Sequence, residues 1–228
     1  METNGKSKHV AIIERCAISE TGLSQLFPQA ATAHFQFHFF KDYATFLRAI
    51  VWTPFVSLIY SLSGIRTERL ECLRALYHME KNYPDRQRIV LAGNEMEERL
   101  VSRFSPTSLH GILSKTAPLE VMRQQLWKWL NESRQRNDNV LNVWYFSDEG
   151  MLSQTERDII FCTTKGYSIV DIAYYFKRSI KVIRAYKLSL MTKLGVRNDA
   201  ELLYAADILI QMQKTLNKPT SPRRRISA

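Results

Sequence analysis

Between residues 8 and 134 short apolar runs recur, and each is followed by a longer stretch in which apolar and charged residues mix. The runs are VAII at 10–13, FQFHFF at 35–40, FVSLIY at 55–60, RIVLA at 88–92 and LHGIL at 109–113. Their shortness and their β-branched and aromatic content predict strands, whereas the stretches near 19–27, 42–50, 67–82, 94–104 and 118–134 predict helices. Near-continuous apolar runs suit strands buried on both faces. The alternation therefore predicts an α/β domain over 8–134, with a five-stranded parallel sheet covered by helices on both sides. Residues 131–148 begin polar and lose periodicity, so 135–148 read as a linker, with Trp144, Tyr145 and Phe146 expected to pack the joint or cap a second domain.

From 149 to 213 the pattern turns wholly helical, and the start signals are consistent. Ser153 with Glu156 and Ser168 with Asp171 fit capping boxes, and Asn198 with Glu201 is a looser version. Gly166 supplies a stop, and Lys177 and Arg178 form a short turn before Ser179. Helices are predicted at 154–165, 169–176, 180–193 and 199–213, making an all-α second domain. On the third of these, Ile183, Tyr186, Leu190 and Leu194 gather on one side, while Arg184, Ala185, Leu188 and Thr192 cluster around Lys181 on the other. One face packs and the other is free to meet something negative. In the last helix Leu202, Leu203, Ala206, Leu209 and Ile210 exceed what a small helical core needs, which leaves a partner surface or deeper burial as explanations. The tail from Lys214 to Ala228, with Pro219 and Pro222, is expected to be disordered.

Charge sharpens this division. The net charge is +10, and residues 151–228 hold 14 Lys and Arg against 6 Asp and Glu, while residues 1–150 hold 18 against 16. The excess therefore belongs to the second domain, where it favours a polyanion that gives up condensed counterions on binding. The 45% apolar fraction excludes a disordered chain. Cys16, Cys72 and Cys162 are too scattered for a metal pair and too few for a disulfide framework, so reduced thiols and a cytoplasmic location are expected. No apolar run approaches the roughly 20 residues that span a bilayer, and no signal peptide is evident, so no membrane partner is expected.

Catalytic and cofactor chemistry is thin. There is no glycine-rich phosphate loop, and Gly93 and Gly111 read as isolated turn glycines. His34 and His38 would suit a metal site on a helix, but in a strand they lie roughly 13 Å apart, so no metal is expected. Neither a cofactor nor enzymatic activity is expected. A parallel sheet presents ligands at the carboxyl ends of its strands, and there the chain offers Glu14 and Arg15, Tyr60 and Ser61, Ala92, and Lys115.

A five-fold βα domain followed by a helix-turn-helix resembles the NarL/FixJ type of response regulator. Receivers of that type hold a pair of acids after the first strand, a phosphoacceptor Asp after the third, a Ser or Thr after the fourth and a Lys after the fifth. Set against that pattern, Glu14 stands for one acid, Arg15 replaces the other, Tyr60 occupies the acceptor position (with Ser61 one residue away), Ala92 replaces the hydroxyl and Lys115 is kept. Phosphoryl transfer to a carboxylate needs a nucleophile and several acidic oxygens around magnesium. Neither is present, so the resemblance implies a receiver fold without receiver chemistry.

The segments LSQTE, KGYSIVDIA, RSIKVI and KLGV resemble the LuxR-type helix-turn-helix. That resemblance implies double-stranded DNA as partner, residues 180–193 in the major groove and residues 199–213 supporting dimerisation. Arg184, Ala185 and Leu188 then occupy base-facing positions, and Ser179, Lys181, Lys187 and Lys193 are candidates for phosphate contact. Leu188 has no hydrogen-bonding capacity and suits only a thymine methyl. Taken whole, the chain is similar to the auxiliary regulators that work as heterodimers with RcsB, which implies an RcsB-like response regulator as partner. A stand-alone ligand-sensing homodimer and a protein that titrates a response regulator are the other two readings.

Overall fold

The computed structural model describes residues 7–27, 34–104, 109–131 and 152–216. The five predicted strands form one sheet: β1 (Lys8–Ile13), β2 (Phe35–Phe40), β3 (Phe55–Ser61), β4 (Gln87–Ala92) and β5 (Gly111–Ser114), all parallel, in the order β2-β1-β3-β4-β5. Between and after them run α1 (Ala17–Gln25), α2 (Tyr43–Ala49), α3 (Arg66–Asn82), α4 (Glu95–Phe104) and α5 (Leu119–Asn131).

Alternation along each strand sorts the core into two layers. Val10, Ile12, Ile59, Ile89 and Leu91 meet Leu23 of α1 and Met122, Leu126 and Leu130 of α5. Ala11, Ile13, Leu58, Tyr60 and Val90 face the other way, onto Phe46 of α2, Leu76 of α3 and Leu100 of α4. This is the flavodoxin-like doubly wound sheet, whose order reverses between β1 and β3 and opens a crevice at their carboxyl ends.

One position departs from the sequence reading. Gly111 opens β5 rather than a turn, and the indole of Trp129 from α5 lies over it, so that an added Cβ would come within 2.5 Å of the ring. His9 Nδ1 and His38 Nε2 lie 2.9 Å apart across β1 and β2, a diagonal contact, since the register sets His9 beside Gln36 and His38 beside Ala11.

The second domain is all helical: α6 (Gln154–Thr164), α7 (Ile169–Tyr175), α8 (Ile180–Leu194) and α9 (Asp199–Leu216). Both capping boxes form, with Ser153 and Glu156, and Ser168 and Asp171, exchanging side-chain and backbone bonds. The Asn198 carboxamide oxygen accepts from Glu201 N at 2.9 Å, but the Glu201 carboxylate reaches back one residue further, to Arg197 N at 3.0 Å. Gly166 takes a left-handed φ of 84° after α6. Lys177 also takes one, φ 51°, which turns the chain tightly enough for Arg178 N to donate to Ala173 O at 3.0 Å. α9 continues to Leu216, into residues expected to be tail. The linker at 135–148, its aromatic cluster and the basic residues Arg223, Arg224 and Arg225 lie outside the described residues.

The two domains share one core. α9 lies against α3 and α4, and Leu202, Ala205, Ala206, Ile208 and Leu209 are all buried. The apolar surplus of this helix is thus taken up inside the chain. Polar contacts register the junction. Arg66 holds the buried Asp207 in a fork, Nε to Oδ2 at 2.6 Å and Nη2 to Oδ1 at 2.5 Å, and also donates to Thr164 O at 2.8 Å. Arg99 pairs with Glu201 at 2.9 Å, and the Arg69 guanidinium stacks 4.5 Å from the centre of the Tyr204 ring.

Candidate nucleic-acid interface

The crevice at the carboxyl ends of β1 and β3 has a volume of about 590 Å³ and is lined by Glu14, Arg15, Ser61, Glu97 and Lys115 among others. Its charges are already matched. The buried Glu14 carboxylate accepts from Lys115 Nζ at 3.2 Å, from the Ser61 hydroxyl and from Cys16 N at 2.8 Å. Arg15 swings outward to α3, where Glu68 and Glu71 take its two terminal nitrogens at 3.2 and 2.5 Å.

The acceptor position goes to Ser61, which corrects the placement of Tyr60. β3 runs one residue past the apolar run, so Ser61 is its carboxyl-terminal residue and bonds Glu14, while Tyr60 packs in the α2–α4 layer. Burial there pushes the Tyr60 phenol pKa far up, so it stays a neutral packing group. Ala92 is fully buried at the end of β4 and brings no hydroxyl. Glu97, which sequence reading missed, adds a carboxylate to the crevice, but Gly93 N donates to it at 2.8 Å. The receiver fold implies a magnesium ion here, and these residues do not fit one. The one acid kept from the pair is saturated by an ammonium and a hydroxyl, and the other has become a guanidinium. Among the described residues no group of three His, Cys, Asp or Glu stands close enough to hold a metal.

The helix α8 is built differently. Ser179 caps it by accepting from Val182 N at 3.3 Å, and Gly195 closes it in the left-handed region, φ 65°. Arg103 of α4 lies against Gly195 and donates to Lys193 O at 3.5 Å, which ties this end of the helix to the first domain. Ile183, Leu190 and Leu194 are buried, whereas Tyr186, expected on the packed face, remains 37% exposed at its margin. On the opposite side Lys181, Arg184, Ala185 and Leu188 are all exposed. Neither Lys181 nor Arg184 forms an ion pair among the described residues.

Two expected phosphate ligands are committed elsewhere. Lys187 pairs with Asp199 at the start of α9, 2.7 Å away, and its side chain is only 18% exposed. Lys193 reaches the buried Glu156 of α6 at 2.8 Å. The same carboxylate accepts from Ser189 Oγ at 2.9 Å and from Ser153 N at 2.8 Å. Burial pulls the pKa of Glu156 up, but its bonds to Lys193, Ser153 and Ser189 outweigh that and hold it below the ordinary carboxyl value. Glu156 is therefore both the capping-box residue of α6 and the anchor of α8. Only the first role shows in sequence spacing.

The fold thus joins a helix-turn-helix, whose outer face carries Lys181 and Arg184, to a receiver-like parallel sheet. Residues 150–206 match the GerE domain of bacterial regulatory proteins, luxR family. The transcriptional activator protein BglJ of Escherichia coli (strain K12) is 40% identical over 208 residues, covering 91% of this chain and 92% of that protein. The chain belongs to the luxR family of bacterial regulatory proteins, among the relatives of BglJ. The transcriptional regulatory protein RcsB of the same organism is 30% identical over 132 residues, 55% of this chain and 60% of RcsB. A structure of the two-component response regulator RcsB–DNA complex shares the fold, with a TM-score of 0.68 at 23% identity over 88% of this chain and 98% of that one. No helix among the described residues is long and apolar enough to cross a membrane.

Proposed function

We propose that this regulator binds double-stranded DNA through α8 without being controlled by phosphorylation of its own receiver-like domain, and that it does so as a heterodimer with an RcsB-like response regulator. The observation that carries the reading is the contrast in charge: α8 presents Lys181 and Arg184 without an ion-pair partner among the described residues, while the crevice has consumed its acid internally. Ser179 and Lys181 take phosphates, and Arg184, Ala185 and Leu188 face base edges. Lys187 and Lys193 brace the helix from behind.

The heterodimer rests on the likeness to BglJ and RcsB together with one physical point. A single recognition helix reads one half-site, and a second helix about one turn of DNA away supplies the rest of the specificity. Nuclease footprinting with the full chain, RcsB and their mixture tests this directly. Protection that appears only with the mixture is expected. Protection by the chain alone would instead establish a stand-alone homodimer, and a chain that merely erases RcsB protection would be a titrating partner. Acetyl phosphate with magnesium is expected to leave the mass of the chain unchanged, and a stable acyl-phosphate adduct would overturn phosphorylation independence.

A further inference from the structure

The face that α8 turns outward is poor in hydrogen-bonding groups, and this narrows what it is able to read. Residues 180–194 contain no Asp, Glu, Asn or Gln. The Ser189 hydroxyl donates inward to Glu156 at 2.9 Å, and the Thr192 hydroxyl donates to Leu188 O at 3.0 Å. Lys187 and Lys193 are turned to Asp199 and Glu156. Tyr186 keeps its phenol, but it sits roughly 140° round the helix from Lys181, beside the packed side. Apart from Ile180 at the start of the helix, what remains over the first two to three turns is Lys181 and Arg184, which only donate, and Val182, Ala185 and Leu188, which do neither.

Those three apolar side chains are not core residues that failed to pack. Leu188 is 67% exposed and Val182 39% exposed, and at 100° per residue both fall within roughly 60° of Ala185, with Lys181 between Leu188 and Ala185 and Arg184 about 40° beyond Leu188. The major groove offers a complementary target. Thymine carries a 5-methyl group there, and guanine carries two acceptors, N7 and O6. Adenine and cytosine present amino groups that are met best by a carboxylate or carboxamide oxygen, and residues 180–194 supply neither.

Resting on the DNA-binding reading above, we infer that α8 specifies its half-site by contact of Val182, Ala185 and Leu188 with thymine 5-methyl groups, with Arg184 fixing one guanine. Leu188 is the specificity-determining residue of the set, because it is the longest apolar side chain and the most exposed. The recognised element is thus a thymine-rich strand segment beside a guanine, read through its methyl groups.

The test uses a randomised duplex pool copied with either thymidine or deoxyuridine triphosphate, since uracil pairs as thymine does but lacks the methyl. Sequences retained by the full chain mixed with RcsB are compared with those retained by RcsB alone. The mixture is expected to enrich a half-site of adjacent thymines next to a guanine. The deoxyuridine version of the selected duplex should bind about fourfold more weakly per methyl lost. Leu188→Ala, an exposed substitution that leaves the fold intact, should remove most of the thymine-over-uracil preference while non-specific retention persists. An enriched half-site that binds equally well with uracil, or a preference untouched by Leu188→Ala, overturns the methyl reading and leaves DNA binding standing. If the mixture retains nothing beyond what RcsB retains alone, the DNA-binding reading itself fails and this inference fails with it.

Discussion

The carboxyl-end crevice of the sheet and the outer face of α8 both carry lysine and arginine, yet the states of those cations are opposite. In the crevice each cation has an anion within the chain: Lys115 has Glu14, and Arg15 has Glu68 and Glu71. On α8 the internal pairs fall behind the helix, at Lys187 and Lys193, and leave Lys181 and Arg184 facing water. A saturated site gains little from a further ligand, because an incoming ion must first displace a partner and desolvate. An unsaturated cationic face gains counterion release at once. Pairing of the cations separates the two regions.

The largest effect is expected where that division is anchored. Glu156→Ala removes the carboxylate that holds Lys193, Ser189 and the α6 cap, and it leaves Lys193 without its partner. The loss should be about 3–5 kcal/mol in denaturant titration. Because the folded-state pKa of Glu156 is held below the ordinary carboxyl value of 4.5, its contribution is complete above that value and is lost as pH falls through the folded pKa. Glu156→Gln should therefore flatten the acid limb of the stability curve below about 4.5 and leave its shape near neutrality unchanged. An unchanged acid limb would mean that Glu156 does not fasten α8.

A smaller effect belongs to the junction between domains. Arg66→Ala strips Asp207 of its fork and frees Thr164 O, and it should cost about 1.5–3 kcal/mol, the range for hydrogen bonds to charged groups. Limited proteolysis should then cut between the domains sooner than in the parent chain. If cleavage is no faster, the shared apolar core around α9 suffices without the arginine.

Much of this architecture is legible from the letters. Strands buried on both faces announce themselves as apolar runs, and Ser153, Ser168 and Ser179 each sit where a helix needs a cap, so element positions emerge to within a few residues. The failures have one physical origin, which is that long-range partners leave no local period. The placement of Tyr60 is one residue off because strand ends are fixed by pairing with neighbours, here Ser61 with Leu91, and not by the apolar run. Gly111 looks like any turn glycine until α5 brings Trp129 over it. Lys187 and Lys193 fall near the packed side of an ideal helix, and only the fold shows Asp199 and Glu156 waiting for them. The arginines of α3 and α4 that grip α9 look like ordinary solvated charge in the sequence.

The two classes of lysine on α8 give the sharpest test of the comparison. Lys181→Ala should lower the slope of log affinity against log salt by about 0.9, the value for one phosphate neutralised, and weaken binding to all sequences alike. Lys187→Ala should leave that slope unchanged within error, its effect confined to a modest loss of stability as Asp199 loses its partner. Equal slopes lost in both variants would show that Lys187 abandons Asp199 on DNA, and the line drawn between bracing and reading lysines would move.

The smallest expected effect is none at all, and it probes the crevice. Ser61→Asp places a carboxylate at the acceptor position, next to Glu14, and the simplest view of a degenerate receiver is that this one change restores phosphoryl uptake. The geometry argues otherwise. Lys115 would be drawn between the two acids, and Arg15, turned outward to Glu68 and Glu71, leaves no oxygen at the position of the second magnesium-binding acid, so a divalent cation meets an ammonium and too few oxygens. Treatment of Ser61→Asp with acetyl phosphate and magnesium should give no mass gain. Ser61→Asp combined with Arg15→Asp is the variant in which uptake becomes possible. A mass gain in the single variant would show that the crevice lacks only its nucleophile, and the claim that internal pairing silenced it would be wrong.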